Sequence, residues 1–368
     1  MKSHMELFEV VLNEMSTRCC TSTTNDLKTV ISRYEHEGMS FLTISLPSFA
    51  KDFEKSLDKG VVDSTSFVSF SKKGRLPRFL SGFSSLVFSL EDGTLLPNPS
   101  IDAIHAVRQI CLLFSKVALP CSDARTKAAF DAFVKCEQDI RISDASLTQD
   151  MTSEFGRMAL VLFGDVFARM DKDIYDGNVI PKHGPGSTAD RIFGNQKYNQ
   201  NVWTERLEGI FPHGEFLYSS WRQFLDAPET VILEPGEEIP VRVISVPKTL
   251  KTPRIIGIEP TCMQYTQQGI TRLFVEHKDR DDILSHMLGI RDQIPNQEMA
   301  MDGSLYGNLA TLDLSEASDR VSNQHVRLLV SRFPWLATAI DATRSRKADV
   351  PGHGVIRLAK FASMGSAL

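Results

Sequence analysis

A chain of 368 residues with 42% hydrophobic and 24% charged residues has room for two or three subdomains around ordinary soluble cores. Its net charge of −5 excludes a uniformly basic, nucleic-acid-coating protein, but not a local positive channel within an acidic whole. The six cysteines (Cys19, Cys20, Cys111, Cys121, Cys136, Cys262) form no C-x-x-C pair and no zinc-like spacing with histidine, and no apolar run reaches the roughly 18 residues of a membrane span, so a soluble, intracellular protein with reduced thiols is expected.

In chain order, "FLTISL" (41–46) alternates and stops at Pro47, which predicts a short strand. "SKKGRLPRF" (71–79) is a Gly/Pro-punctuated loop carrying Lys72, Lys73, Arg75 and Arg78, either a solvated surface or an RNA contact. Ser100 is placed to cap a helix running to Pro120, with Ile101, Ile104, Val107, Cys111, Phe114 and Ala118 on one face. A second helix, 151–170, carries Met151, Phe155, Met158, Leu162, Val166 and Met170 as a core stripe. "NVIPKHGPGSTADRIFGNQKY" (178–198) predicts a shaped loop in which Gly184 and Gly186 permit close backbone approach and His183 is a packed residue rather than a base. Residues 231–258 read as a β-hairpin system with a Pro235-Gly236 turn, Val241 and Val243 alternating with Arg242 and Ile244, and a second run "RIIGI". Arg242, Lys248, Lys251 and Arg254 make this region basic, and a helix follows in "TCMQYTQQGITRLFVEH".

"LATLDLSEASDRVSNQHVRLL" (309–329) passes from a strand-like to a helix-like pattern. The spacing predicts a strand ending at Asp313, a helix capped by Ser315, and a helix face of Val321, His325, Leu328 and Phe333. A carboxylate at a strand's carboxyl end suits Mg²⁺, which takes one or two hard oxygens plus waters and substrate phosphates. Asp319, one turn on, either faces the same pocket or merely complements the helix dipole. "VPGHGVIRLAKFASMGSAL" (350–368) reads as a hairpin turning at Gly352-His353-Gly354, then a small-residue loop at Ser363-Met364-Gly365. Cations, a metal carboxylate and a close-approach loop, in that order, suit nucleotidyl transfer.

Three of these segments, "VPKTLKTPRIIGIEP", "TLDLSEASDRVS" and "KFASMGS", resemble in order the basic fingers motif, motif A and motif B of the RNA-directed RNA polymerases (replicase beta subunits) of levivirus-type RNA bacteriophages. "KHGPGSTADR" resembles a further segment of those replicases. The resemblance implies an α+β, right-hand polymerase fold holding the fingers and the beginning of the palm. Expected boundaries are 1–175 for a largely helical N-terminal region and part of the fingers, 176–300 for fingers with the KHGPG loop and basic hairpin, and 301–368 for the start of the palm. It implies that Asp313 binds the catalytic Mg²⁺ (or Mn²⁺), two ions in the complete enzyme, and that Asp319 reads the ribose 2′-hydroxyl. Lys248, Lys251 and Arg254 would contact the triphosphate, and Ser363 and Gly365 would flank the nascent base pair. RNA template, ribonucleoside triphosphates and host elongation factors Tu and Ts follow as partners, with no membrane, in the bacterial cytoplasm. No Gly-Asp-Asp occurs and the chain stops after motif B, so the palm remainder, motif C and thumb are expected to be absent and the chain alone inactive. Two classes therefore stand: a portion of a template-directed polymerase, or a non-catalytic RNA- or nucleotide-binding fragment.

Overall fold

The computed structural model describes residues 2–218, 220–226 and 229–368, with Lys2, Ser3 and Asp226 as backbone only. Two compact units divide the chain, one formed by residues up to 129 with 246–254, the other by 130–245 with 255–368. Mixed helix and sheet bear out the α+β class.

The first unit holds α1 (Lys2–Arg18), α2 (Thr24–Glu37), α3 (Leu46–Lys59), the two-residue strands β1 (Lys72–Lys73) and β2 (Leu76–Pro77), the short α4 (Ser81–Ser84) and α5 (Ile101–Leu112). Its core is phenylalanine-rich: Phe49 meets the rings of Phe67, Phe70 and Phe79 at 4.6, 5.0 and 5.4 Å. The strand expected at 41–46 is instead a π-helical turn, Phe41–Ser45, leading into α3. Phe41, Leu42, Leu46, Phe49, Ala50 and Phe53 are all buried, a helical rather than alternating spacing. Pro47 follows directly on the π-helical turn, whose widened i→i+5 pattern, with Leu46 N donating to Phe41 O, is the local adjustment at the proline. Ser100 caps α5 as expected, its Oγ accepting from Ala103 N at 3.2 Å. The helix ends at Leu112 rather than near Pro120, and Ile101 and Ala118 are exposed.

The second unit begins within α6 (Asp123–Ala145) and contains α7 (Gln149–Tyr175), β3 (Val202–Thr204), the short α8 (Glu205–Glu208), α9 (His213–Phe216) and α10 (Trp221–Asp226), and β4 (Val231–Leu233). Then come β5 (Val241–Val246), β6 (Arg254–Ile258), α11 (Thr261–Lys278), α12 (Leu284–Met287), α13 (Ile294–Tyr306), α14 (Asn323–Leu329), α15 (Pro334–Thr343), β7 (Lys347–Val350) and β8 (Gly354–Arg357). One sheet has the order β6-β5-β7-β8, with β5 parallel to β7 (Val241 opposite Ala348) and β7 antiparallel to β8. The β7–β8 hairpin turns where the sequence places it, with Gly352 and Gly354 at φ 82° and 70°. Phe130 and Phe133 of α6 cover Val241, Val243, Ala348 and Val350 of this sheet.

β4 does not join the basic hairpin; it pairs in parallel with β3, Trp203 opposite Ile232. Of the expected α7 stripe only Val166 and Met170 are core. Val166, Phe167, Met170 and Ile174 are buried with Ile270 and Leu273 of α11 and Leu336 and Ala339 of α15, whereas Met151, Phe155, Met158 and Leu162 are exposed. Periodicity fixes which face is apolar, but cover depends on elements remote in sequence.

Phe49→Ala should lower stability by about 3–5 kcal/mol, the usual result of emptying a well-packed aromatic site. Urea unfolding of the full chain tests this, and a loss below about 1 kcal/mol would contradict the packing.

Candidate functional site

The strand expected at 309–314 does not form. Residues 308–314 run as exposed coil, and Asp313 has neither an ion-pair nor a hydrogen-bond partner among the described residues. A β-prone run becomes a strand only when a neighbour takes its backbone groups, and no described strand lies alongside it. The helix expected from Ser315 is also displaced. Glu316 takes a left-handed φ of 56°, Ser318–Arg320 make a 3-10 turn, and Val321–Ser322 are extended and bridged to the segment before the 363–365 loop. Phe361 N donates to Val321 O at 2.7 Å and Asn323 N to Ala359 O at 3.0 Å. The helix therefore starts at Asn323, capped by Ser322, whose Oγ accepts from Gln324 N and donates to Asp144 Oδ2. Of the expected helix face, Val321 is left exposed and Phe333 falls at the start of α15.

This bridge brings the two sequence motifs together. Asp319, half-buried, accepts through Oδ1 from Lys360 Nζ at 3.1 Å. The Lys360 side chain is fully buried, with its ammonium 3.3 Å from Glu137 Oε1 and 3.6 Å from the centroid of the Phe133 ring. Glu137 also takes the backbone N–H groups of Ala359 and Lys360. From the other side, the buried Arg344 guanidinium donates to the carbonyls of Leu358, Lys360 and Phe361 at 3.1, 2.5 and 2.9 Å. Burial lowers the Arg344 pKa to about 10, so the group stays charged at neutral pH.

The 363–365 loop is packed against β6. Gly257 N donates to Met364 O at 2.8 Å, and a Cβ on Gly257 would lie 2.8 Å from both Ser363 Cβ and Val241 Cγ1. Gly365 has φ 116°, and a Cβ there would come within 2.5 Å of Gly257 O. Ser363 is buried and its Oγ has no hydrogen-bond partner, leaving one unsatisfied polar atom in the loop. Gln267 of α11 fixes the far side by accepting from Ser366 Oγ and Ala367 N at 3.2 Å each. Glu259, at the end of β6, is buried; desolvation raises its pKa against the hydrogen bond from Ser345.

Lys248 and Lys251 lie in the connection between β5 and β6, and Arg254 opens β6. All three are exposed and none has a carboxylate partner among the described residues. Arg242 is different: it is half-buried and donates to Thr188 O at 3.4 Å. The KHGPG loop is wrapped around the buried ammonium of Lys197, which donates to Gly184 O at 2.6 Å, to Gly186 O, and to Gln264 Oε1 at 3.2 Å. His183 stacks on Tyr265 at 4.3 Å and meets Tyr198 edge-on at 4.7 Å. Burial, reinforced by Lys197, lowers its pKa to about 4, so the ring is neutral and packed.

Among the described residues no group of three or more His, Cys, Asp or Glu side chains could hold a metal ion. The donor set offers one unpaired carboxylate, Asp313, which fits a single protein ligand to Mg²⁺ and no complete two-ion site. Sequence reasoning missed Lys360, Glu137 and Arg344. A signal existed for Glu137: it is the one carboxylate on the buried face of α6, among Phe130, Phe133, Cys136 and Ile140.

Residues 238–367 match the family described as RNA replicase, beta-chain. The RNA-directed RNA polymerase subunit beta of Qbeta virus (strain MX1) is 36% identical over 248 residues, covering 65% of this chain and 40% of that relative. That of Enterobacteria phage SP is 37% identical over 125 residues, 34% of this chain and 20% of the relative. The RNA-directed RNA polymerase beta chain of Escherichia phage MS2 is 36% identical over 124 residues, 34% and 21% respectively. The chain thus spans between 20% and 40% of the length of these relatives.

Lys360→Met leaves Glu137 buried without its cation and should cost about 3–5 kcal/mol, with Lys360→Met/Glu137→Gln recovering much of the loss. Urea midpoints of the three chains decide it; a single-variant loss under about 1 kcal/mol would remove the ion pair from the fold's foundations. His183 adds a pH test. Its folded pKa of about 4 lies below the free value of 6.5, so between them the unfolded chain holds the proton. The stability it contributes is complete above 6.5 and declines as pH falls toward 4. Melting temperatures over that range should fall less steeply for His183→Phe than for the parent, and parallel curves would refute the assignment.

Proposed function

We propose, from the kinship of residues 238–367 with the RNA replicase beta chains of RNA phages, that this chain supplies the nucleotide-handling motifs of a template-directed RNA polymerase. The observation that carries the reading is the joining of the two aspartate- and serine-bearing motifs by the Asp319–Lys360 contact and the Val321–Phe361 backbone bond. On this reading the fold is the fingers and beginning of the palm of a right-hand polymerase.

In nucleotidyl transfer a 3′-hydroxyl attacks the α-phosphate of an incoming ribonucleoside triphosphate and pyrophosphate leaves. Lys248, Lys251 and Arg254 are the cations for the triphosphate; with no carboxylate to displace, their charge is available to an anion. Asp313 is the protein ligand for a divalent ion, which when bound supplies charge neutralisation at the phosphates. Asp319 Oδ1 is committed to Lys360, and Oδ2 has no donor among the described residues, which leaves one oxygen to accept from a ribose 2′-hydroxyl. Ser363 and Gly365 shape the wall beside the base pair, where a larger residue at Gly365 would strike Gly257 O. The template RNA and ribonucleotides are the partners, with host factors Tu and Ts and the bacterial cytoplasm carried by the resemblance. Among the described residues no helix is long and apolar enough to cross a membrane.

A second reading, an RNA- or nucleotide-binding role without chemistry, is favoured by the lack of a three-ligand metal cluster among the described residues. Asp313→Ala separates the two. In a replicase containing this chain, it should abolish Mg²⁺-dependent incorporation while leaving the melting temperature unchanged, and near-normal extension would reject the catalytic reading. Lys251→Ala or Arg254→Ala should weaken apparent nucleotide affinity by about tenfold, the usual loss of one charge-assisted contact to phosphate. Unchanged affinity would count against the hairpin's assignment.

A further inference from the structure

The basic loop at 71–79 is unused by the function above, and in the first unit it forms one wall of a cavity of about 670 Å³. The opposite wall is one face of α2, where Asn25, Thr29 and Arg33 follow at intervals of four. Three cations line the space, Arg33, Lys73 and Arg78, together with five serine and threonine residues. Arg33 is fixed: Nε is 2.6 Å from Glu37 Oε1, NH1 donates to Ser69 O at 3.1 Å, and its guanidinium lies 4.6 Å from the Phe70 ring centroid. Lys73 and Arg78 are held by the β1–β2 hairpin, closed by Lys73 opposite Leu76 and by the Arg78 N to Ser71 O bond at 2.8 Å. Strand alternation turns Lys72 the other way, onto Ser64 O at 3.1 Å. Lys73 and Arg78 are exposed and have no carboxylate partner among the described residues.

The one acid in the wall, Asp26, is buried and occupied, accepting from Leu80 N at 2.7 Å, and desolvation raises its pKa. Cations and hydroxyl donors with a single, occupied carboxylate make a receptor for phosphate oxygens. Phe70 and Phe79 are buried and stacked on each other at 5.3 Å, so no ring is offered to a base. We propose that this cavity is a binding site for the sugar-phosphate backbone of a single RNA strand, read without regard to sequence. Its size exceeds what a lone phosphate fills, and the choice of RNA over another polyanion rests on the replicase reading.

The test is binding of a fluorescent single-stranded RNA of about 12 nucleotides to the full chain, read by anisotropy across salt concentrations without nucleotides or synthesis. Lys73→Ala/Arg78→Ala should weaken binding about tenfold and reduce the salt slope by about 1.4, two phosphate contacts' worth. Lys51→Ala/Lys55→Ala removes the same charge from exposed positions of α3 outside the cavity and should change affinity less than twofold. Matching melting curves show that both variants fold, and Arg78→Gln provides a milder check. Equal losses in the two double variants would overturn the site. So would displacement of the RNA by AMP or inorganic phosphate at equal phosphate concentration, which assigns the cavity to a free anion. Because no synthesis is read, a negative result leaves the hairpin's nucleotide test standing, and failure of that test leaves this one intact.

Discussion

A lysine ammonium with no exposure to solvent is the constraint from which the rest of the second unit follows. Taking Lys360 out of water costs several kcal/mol, and only Glu137, Asp319 and the Phe133 face are there to offset it. Their geometry is correspondingly tight. Glu137 receives two backbone N–H donors from consecutive residues and pairs with the Lys360 ammonium, so α6 and the chain leaving β8 cannot slide past each other without stranding a charge. Arg344 secures the same stretch through the carbonyls of Leu358, Lys360 and Phe361, which leaves it held from both sides. Motif identity in the sequence thus becomes position in space through a contact between the motifs, Asp319 with Lys360, and through Glu137, Phe133 and Arg344 outside them.

The two aspartates of the "LDLSEASD" turn are consequently unequal. Asp319 has a partner inside the protein, and any ligand of its carboxylate must share it with Lys360. Asp313 is exposed on coil with nothing to displace. A hard cation gains most from the second kind of carboxylate, since no existing ion pair must be broken first. A hydroxyl can be served by the first kind, because a paired carboxylate keeps a free oxygen and a fixed direction. Sequence order alone, with the residues six positions apart, does not separate these two environments; the fold does.

Elements whose signals are local were legible in the sequence. Ser100 caps α5, α11 spans its amphipathic run, and Gly352 and Gly354 turn β7 into β8. What failed depended on partners far along the chain. "FLTISL" has strand-like residues, but a helical face of Phe49, Ala50 and Phe53 follows it and draws it into the same core. Ser315 is a fair cap by composition, yet the backbone bonds from 359–361 keep Val321 and Ser322 extended, and the helix waits for Asn323. The 309–314 run lacks a neighbouring strand among the described residues, and β4 pairs with β3, a choice no turn signal encodes. For the site, the free cations were legible because exposure is the default for Lys and Arg. Lys360 was not, because its burial depends on Glu137, more than 200 positions earlier.

The net charge of −5 hides how the positive side chains are used. Many arginines are already spent internally: Arg206 is bidentate to Glu238, Arg33 pairs with Glu37, Arg346 with Asp341 and Arg108 with Glu54. A paired cation attracts a phosphate only by the difference between two contacts, whereas an unpaired one offers its whole interaction. Lys248, Lys251 and Arg254 belong to the unpaired kind, and so do Lys73 and Arg78 of the cavity in the same unit. Attraction for a polyanion is therefore set by which few cations the fold leaves without carboxylates, and an acidic total is no obstacle to it.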